Sequence, residues 1–157
     1  HYTFDTSDGD IEVAVDGDLY ETTKGKNSGI DVIGDGNVTL YVRGNVLEDG
    51  ASQSMTIGNS SDPSQTRIFV HSDAETVGAK SNPNIYALIY APNTDVSLQS
   101  AATTFDGAIV AESVNVHKNM NFDIDPQTAN LEFFFTLGDA PFYYLHISET
   151  QVNVERD

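Results

Sequence analysis

LIYAPNTDVSL, residues 88–98, sets two short apolar runs on either side of a Pro-Asn-Thr-Asp corner. A hairpin gives this pattern, and so does one corner of a coiled β-solenoid. Recurrence of the corner at a fixed interval separates the two. YALIYAPNTDVS (86–97) lies over DGAIVAESVNVH (106–117) without a gap. Ile89 then sits over Ile109, Tyr90 over Val110, Ala91 over Ala111, Thr94 over Val114 and Val96 over Val116. Pro92-Asn93 and Glu112-Ser113 occupy equivalent turns in this alignment. An interval of about twenty residues is one turn of a parallel β-helix.

Upstream the interval lengthens. IEVAVDGDLYETT (11–23) aligns with VTLYVRGNVLEDG (38–50), and RIFVHSDAETVG (67–78) is expected to follow after about 29 or 30 residues. Loops that bulge from one edge, YETTKGKNSG (20–29) and SDPSQT (61–66), account for the longer turns. Strand signals run along the chain, each short and bounded by Gly, Asp, Asn or Pro. Val38, Leu40 and Val42 alternate with Thr39, Tyr41 and Arg43, and Ile11, Val13 and Val15 alternate in the same way. The only helical candidate, DAETVGAK (73–80), is short and is interrupted by Gly78. Asp-Gly and Gly-Asn pairs mark the corners, and these suit a hairpin as well as a solenoid.

The expected fold is therefore all-β, a short right-handed parallel β-helix with a C-terminal cap; a Greek-key β-sandwich is the alternative. One domain spans 1–157, with rungs over 1–125 and cap strands over 126–157. Aromatic residues crowd the cap: Phe133, Phe134, Phe135, Phe142, Tyr143 and Tyr144. A solenoid end needs cover, so a cap is one reading of this cluster. A docking surface for another subunit is the other.

Charge narrows the partners. The 157 residues carry 24 acidic against 7 basic side chains, a formal net charge of -17 that rules against nucleic acid as a partner. The carboxylates are spread over the whole length, so the chain repels itself in dilute buffer and is relieved by concentrated salt. A salt-loving source is the expectation. No stretch is long and apolar enough to span a bilayer. The chain opens on His1 without a Met, so any signal peptide or anchor helix is expected upstream. Cysteine is absent, which excludes disulfides and thiolate metal sites.

NIYALIYAPNTDVSL (84–98), TTFDGAIVAESVNVHKNMNFDID (103–125) and YYLHISETQVNVE (143–155) together resemble a group of haloarchaeal secreted proteins. In that group a type IV pilin-like N-terminal helix precedes a β-rich ectodomain. Domains of bacterial pilus-assembly proteins show a similar YAP…FDGA.VA pattern. The resemblance covers roughly residues 30 to 150 and implies a right-handed β-helix at the cell surface. It implies other surface or pilus proteins, or further copies of the chain, as partners, with membrane contact only through a helix this sequence does not contain. It carries no catalytic residues.

Chemistry is sparse. His1, His71, His117 and His146 show no metal-ligand spacing, and HExxH is absent. Asp8, Asp10, Asp16, Asp18, Asp31 and Asp35 gather at glycine corners and form a weak candidate set for calcium. They fit neither the EF-hand spacing nor the glycine-rich calcium repeat, and turn chemistry is the preferred account of them. No other cofactor is expected. The pairs Asp123 with Asp125 and Asp73 with Glu75 are what so acidic a chain produces by chance. The seven basic residues are scattered along the sequence and define no substrate groove, so no enzyme is expected. Sequons at Asn37 and Asn59 are candidate glycosylation sites, Asn59 the better because it lies in a polar loop. The functional expectation is a structural or adhesive surface ectodomain. A glycan-binding module, with Tyr41, Tyr86 and Tyr90 as contacts, and a self-assembling filament subunit are the alternatives.

Overall fold

A computed structural model describes residues 1–19, 29–46, 55–79, 83–99 and 104–124, together with the backbone of 132–135 and 143–146. Among these residues the protein is all-β. In order, the strands are β1 (Tyr2–Asp5), β2 (Ile11–Val15), β3 (Gly29–Ile33), β4 (Val38–Val42), β5 (Thr56–Ile57), β6 (Thr66–Val70) and β7 (Val77–Ala79). Then come β8 (Asn84–Leu98), β9 (Thr104–Val116), β10 (Asn121–Ile124), β11 (Glu132–Phe135) and β12 (Tyr143–His146). Over 73–79, the described part of the helical candidate at 73–80, the chain instead turns and leads into β7, where Val77 is fully buried.

Strands β1 to β10 form one ten-stranded sheet, and each pairing in it is parallel. Parallel neighbours cannot be joined by a tight turn, so the hairpin reading of the corners is overturned. An antiparallel Greek key does not fit this sheet either. Pairing follows three ladders. The first runs β1–β3–β5 into the start of β8, then β9 and β10. The second runs β2–β4–β6 into the middle of β8. The third starts with the bridges Leu19–Val46 and Val46–Val77 and continues through β7 to the end of β8. β8 and β9 each turn through all three ladders without a break, and the sheet curls until it is nearly closed.

Inward positions explain the registers. Val38, Leu40 and Val42 lie beside Thr66, Ile68 and Val70, and all six are buried. Ile30, Ile57, Ile85 and Phe105 line the first ladder, and Phe105 stacks on Phe122 with ring centroids 5.0 Å apart. Ile11, Val13 and Val15 are only half-buried, because β2 ends the strand order.

Two expected registers are corrected. β6 follows β4 one residue sooner than 29, pairing Thr39 with Arg67 and Val38 with Thr66. An offset of 29 would turn Arg67 toward the core, since side chains alternate with period two. Ile89, Tyr90 and Ala91 do pair with Ile109, Val110 and Ala111. Beyond the corner, however, Val96 pairs with Val114 and Leu98 with Val116, while Asp95 faces Ser113. The Pro92-Asn93-Thr94 corner is two residues longer than its counterpart at Glu112. A slip of two keeps every side chain on its face, which is why the gapless alignment still looked regular. Thr94 fills the wider corner, its buried hydroxyl donating to the Ala74 carbonyl at 3.3 Å.

Close passage of one pass over the next sets a glycine requirement. Gly58 has φ +86°, and a Cβ there would overlap the Tyr86 carbonyl oxygen. Gly9 has φ +128° but nothing within 4 Å of the same position. Gly58→Ala is therefore predicted to destabilise the fold by roughly 2–4 kcal/mol, from strain and overlap together. Gly9→Ala is predicted to cost only about 1 kcal/mol, from backbone strain. Denaturant titration of the two variants checks the ordering, and equal losses would contradict the register between β5 and β8.

Candidate functional site

The outward side chains of the second ladder align in rows across successive passes. One row reads Ala14, Tyr41, Phe69, Tyr90 and Val110. Tyr41 stacks on Phe69 with centroids 5.5 Å apart and planes at 24°, and Phe69 meets Tyr90 at 5.6 Å and 50°. Such cross-strand pairs stabilise a sheet by about 0.5–1.5 kcal/mol each. Phe69 and Tyr90 are half-buried in this row. Tyr41 differs: its neighbour on the other side is Ala14, and it stays 44% exposed.

Charged side chains border Tyr41. On one side lie Glu12, Thr39 and Arg67. Arg67 Nη2 donates to Asn37 Oδ1 at 3.3 Å, and its buried Nε has no partner among the described residues. On the other side Arg43 Nη1 donates to Asp16 Oδ1 at 3.1 Å, and Arg43 Nε lies 3.7 Å from Asp73 Oδ2. His71 Nδ1 is 3.4 Å from the same Asp73 oxygen. These pairs are exposed, so each contributes little to stability. Their effect is to hold donors and acceptors in a fixed pattern around the ring. The Tyr41 hydroxyl is pushed above its ordinary pKa, first by burial and then by the Glu12 carboxylate, with the Arg67 charge opposing.

The basic residues that are scattered in sequence include two that the fold brings near each other. Arg43 and Arg67 are distant in sequence, but the stacking of passes brings them to either side of Tyr41. Of the three tyrosines expected to face one way, Tyr41 and Tyr90 share the row, while Tyr86 lies beside Asp106 in the first ladder. Phe69 was missed. Its signal was the alternation in RIFVH, which places Phe69 outward once Ile68 and Val70 are inward.

The six corner aspartates do not converge. Asp10 Oδ1 accepts from the Asn37 backbone N–H at 2.8 Å and from Asn37 Nδ2 at 3.1 Å. Asp18 Oδ1 accepts from the Asn45 N–H at 2.8 Å. Asn45 Oδ1 in turn accepts from the N–H groups of Glu75 and Thr76 at 2.9 and 3.0 Å. Asp16 pairs with Arg43 and Asp31 with His1, the latter at 2.6 Å. Asp8 and Asp35 are exposed in turns. Among the described residues no three acidic or histidine side chains are grouped to hold a metal ion. Rather than bonding only their own turn, several corner carboxylates bond the next pass.

Both sequon amides are engaged. Asn59 Nδ2 donates to Gln65 Oε1 at 2.8 Å, and its Oδ1 accepts from the Ser61 N–H. Asn37 is held between Asp10 and Arg67. His71 and His117 occupy like positions at strand ends, each ring Nδ1 accepting from the N–H two residues on at 3.2 Å. Asp123 pairs with Asp106 in register across β10 and β9. In the C-terminal segment β11 and β12 pair antiparallel, with Phe133 opposite Leu145, Phe134 opposite Tyr144 and Phe135 opposite Tyr143. Phe142, Asp125 and the side chains of the aromatic cluster and His146 lie outside the described residues.

The Asp10 bonds predict a pH effect. Bonds from the Asn37 backbone and side chain hold the Asp10 carboxyl below its ordinary value of 3.8. A lowered folded-state pKa stabilises the fold above the ordinary value, and this is lost as pH falls through the lowered one. Wild type is predicted to melt above Asp10→Asn near neutral pH, and the gap closes progressively below about pH 4. Comparing the two melting curves across pH removes the contribution of the remaining carboxylates.

No curated protein and no solved structure shows significant similarity to this chain. Residues 1–131, which take in all of the Tyr41 surface, match the family described as a domain of unknown function, DUF7305, and the chain belongs to that family.

Proposed function

We propose that this protein is a non-enzymatic surface module, built as a short right-handed parallel β-helix and serving as a structural or adhesive ectodomain outside the cell. The β-helix reading is supported by the three ladders, in which each segment pairs with the equivalent segment of the next pass. The inward apolar rows continue from pass to pass, as stacking repeats require. The acidic exterior supports a setting of high salt, where self-repulsion is screened. Corner carboxylates bonded into the fold support a scaffold role more than acid–base chemistry. The resemblance of the 84–125 segment to pilus-associated surface proteins supplies the setting, a pilin-like or pilus-associated component.

The observation that carries an adhesive role is the Tyr41 row, an aromatic strip on an outer face of an otherwise strongly charged rod. Adhesion needs such a strip to remain accessible on intact cells. Protease added to cells of the source organism is expected to release fragments of this domain without lysis. A deletion strain is expected to lose attachment to surfaces. A domain that stays protected until the cells are broken would overturn the surface assignment.

A further inference from the structure

We infer that the surface around Tyr41 binds a neutral, hexose-built carbohydrate chain lying along the row from Ala14 toward Tyr90. The inference deepens the adhesive reading and rests on it.

The argument starts from what the patch offers. At its centre is one aromatic ring, 44% exposed, with Ala14 as the neighbour on one side. Around it stand carboxylate acceptors on Glu12 and Asp16 and a guanidinium donor on Arg43, with Arg67 within electrostatic range of the Tyr41 hydroxyl. Sugars present an apolar face of C–H groups together with hydroxyls that both donate and accept. A ring bordered by acceptors and donors satisfies both needs at once.

Other occupants fit less well. A polyanion is repelled by a chain of net charge -17. A polycation is attracted to the whole acidic surface and has no use for the two arginines here. A stable protein interface needs roughly 800 Å² per partner around a dry core, whereas around Tyr41 the apolar strip is bordered by Glu12 and Arg67 on one side and by Asp16 and Arg43 on the other. A lipid surface needs a broad apolar face, and the charged borders prevent one. A narrow strip repeating at about 4.8 Å per strand suits a linear chain of small, similar units.

The charge pattern favours a neutral sugar over an acidic one. Arg43 is already matched by Asp16 and Asp73, while Arg67 is part-buried, with its Nη2 turned to Asn37 and its Nε out of solvent. An added carboxylate or sulfate would have to displace those partners within a negative field. Hydroxyls can join the pattern without displacing any of them.

The test uses the full 157-residue chain on a printed array of neutral and acidic glycans, followed by calorimetry with the best neutral oligosaccharide. Binding to neutral glycans is expected, weakened about tenfold or more by Tyr41→Ala. Tyr41→Phe should largely preserve it, and Tyr2→Ala, at a side chain 73% exposed elsewhere, should leave it unchanged. If Tyr41→Ala alters the circular dichroism spectrum, Asp16→Asn decides instead. Its side chain is 86% exposed, so the change spares the fold, and it is expected to weaken binding severalfold. An array with no neutral hits, acidic hits alone, or neutral binding indifferent to both variants would overturn the inference. A silent array on a protein that protease still reaches on intact cells would leave the surface reading standing and remove only this one.

Discussion

Parallel pairing between successive passes is the constraint on which the rest of this structure depends. No strand in the main sheet can find its partner locally, because a parallel neighbour requires the chain to travel round and return. The return distance is long in the first passes, where Asp16 meets Arg43 across 27 residues, and shorter later, where Ser113 meets Asp95 across 18. What stays constant is the side-chain face. Val38, Thr66 and Ile85 arrive inward by different routes, since alternation admits slips of two and forbids slips of one. The core is therefore a stack of rows, each stabilised by the pass before and the pass after.

Corners carry the second layer of specificity. A backbone that turns loses ladder bonds, and the orphaned N–H groups need acceptors. Asp10 serves Asn37, whose side chain serves Arg67; Asp18 serves Asn45, whose side chain serves Glu75 and Thr76. Each relay links three successive passes by short polar side chains. This gives a physical reason for Asp and Asn at these positions that is separate from solubility. The same carboxylates add to the negative exterior, so the protein accepts self-repulsion in dilute buffer as a consequence of how its corners are bonded. Concentrated salt screens the long-range repulsion and acts much less on the short bonds themselves.

The sequence made β2, β4, β6, β8 and β9, the inward faces of β2 and β4, and the 27-residue pairing of β2 with β4 legible, because alternation of Val, Ile and Leu is a local signal. β1 and β3 were not marked as strands, and the β7 segment read as helical. The pairing of β8 with β9 was legible as far as Ala91 and Ala111. It was not legible past the corner, where the number of residues needed to turn depends on whether Thr94 folds into the interior, a tertiary property. The candidate surface was half visible. Tyr41 and Tyr90 were identifiable as outward tyrosines, but their shared row depended on β6 pairing one residue sooner than expected. With β6 displaced by one, Phe69 points inward and the row has a gap. Arg43 and Arg67 read as scattered for the same reason, since closeness across passes is invisible until the register is set.

The same geometry explains why Tyr41 is the most exposed ring of the row. An outward aromatic in a stacked sheet has its faces turned toward the strands above and below, about 4.8 Å away. Phe69 has an aromatic neighbour on each side, stacked on Tyr41 and tilted against Tyr90, and is half-buried between them. A free face requires a small residue on one side, and Ala14 provides it beside Tyr41. A bulkier residue at 14 would continue the ladder and close that face. Exchange of Ala14 for Phe should therefore add a stacking pair worth about 0.5–1.5 kcal/mol to the fold while removing the surface Tyr41 offers. Gain of stability with loss of contact at a single position is the mark of a face left open by the sequence, and it locates the opening at the first pair of passes.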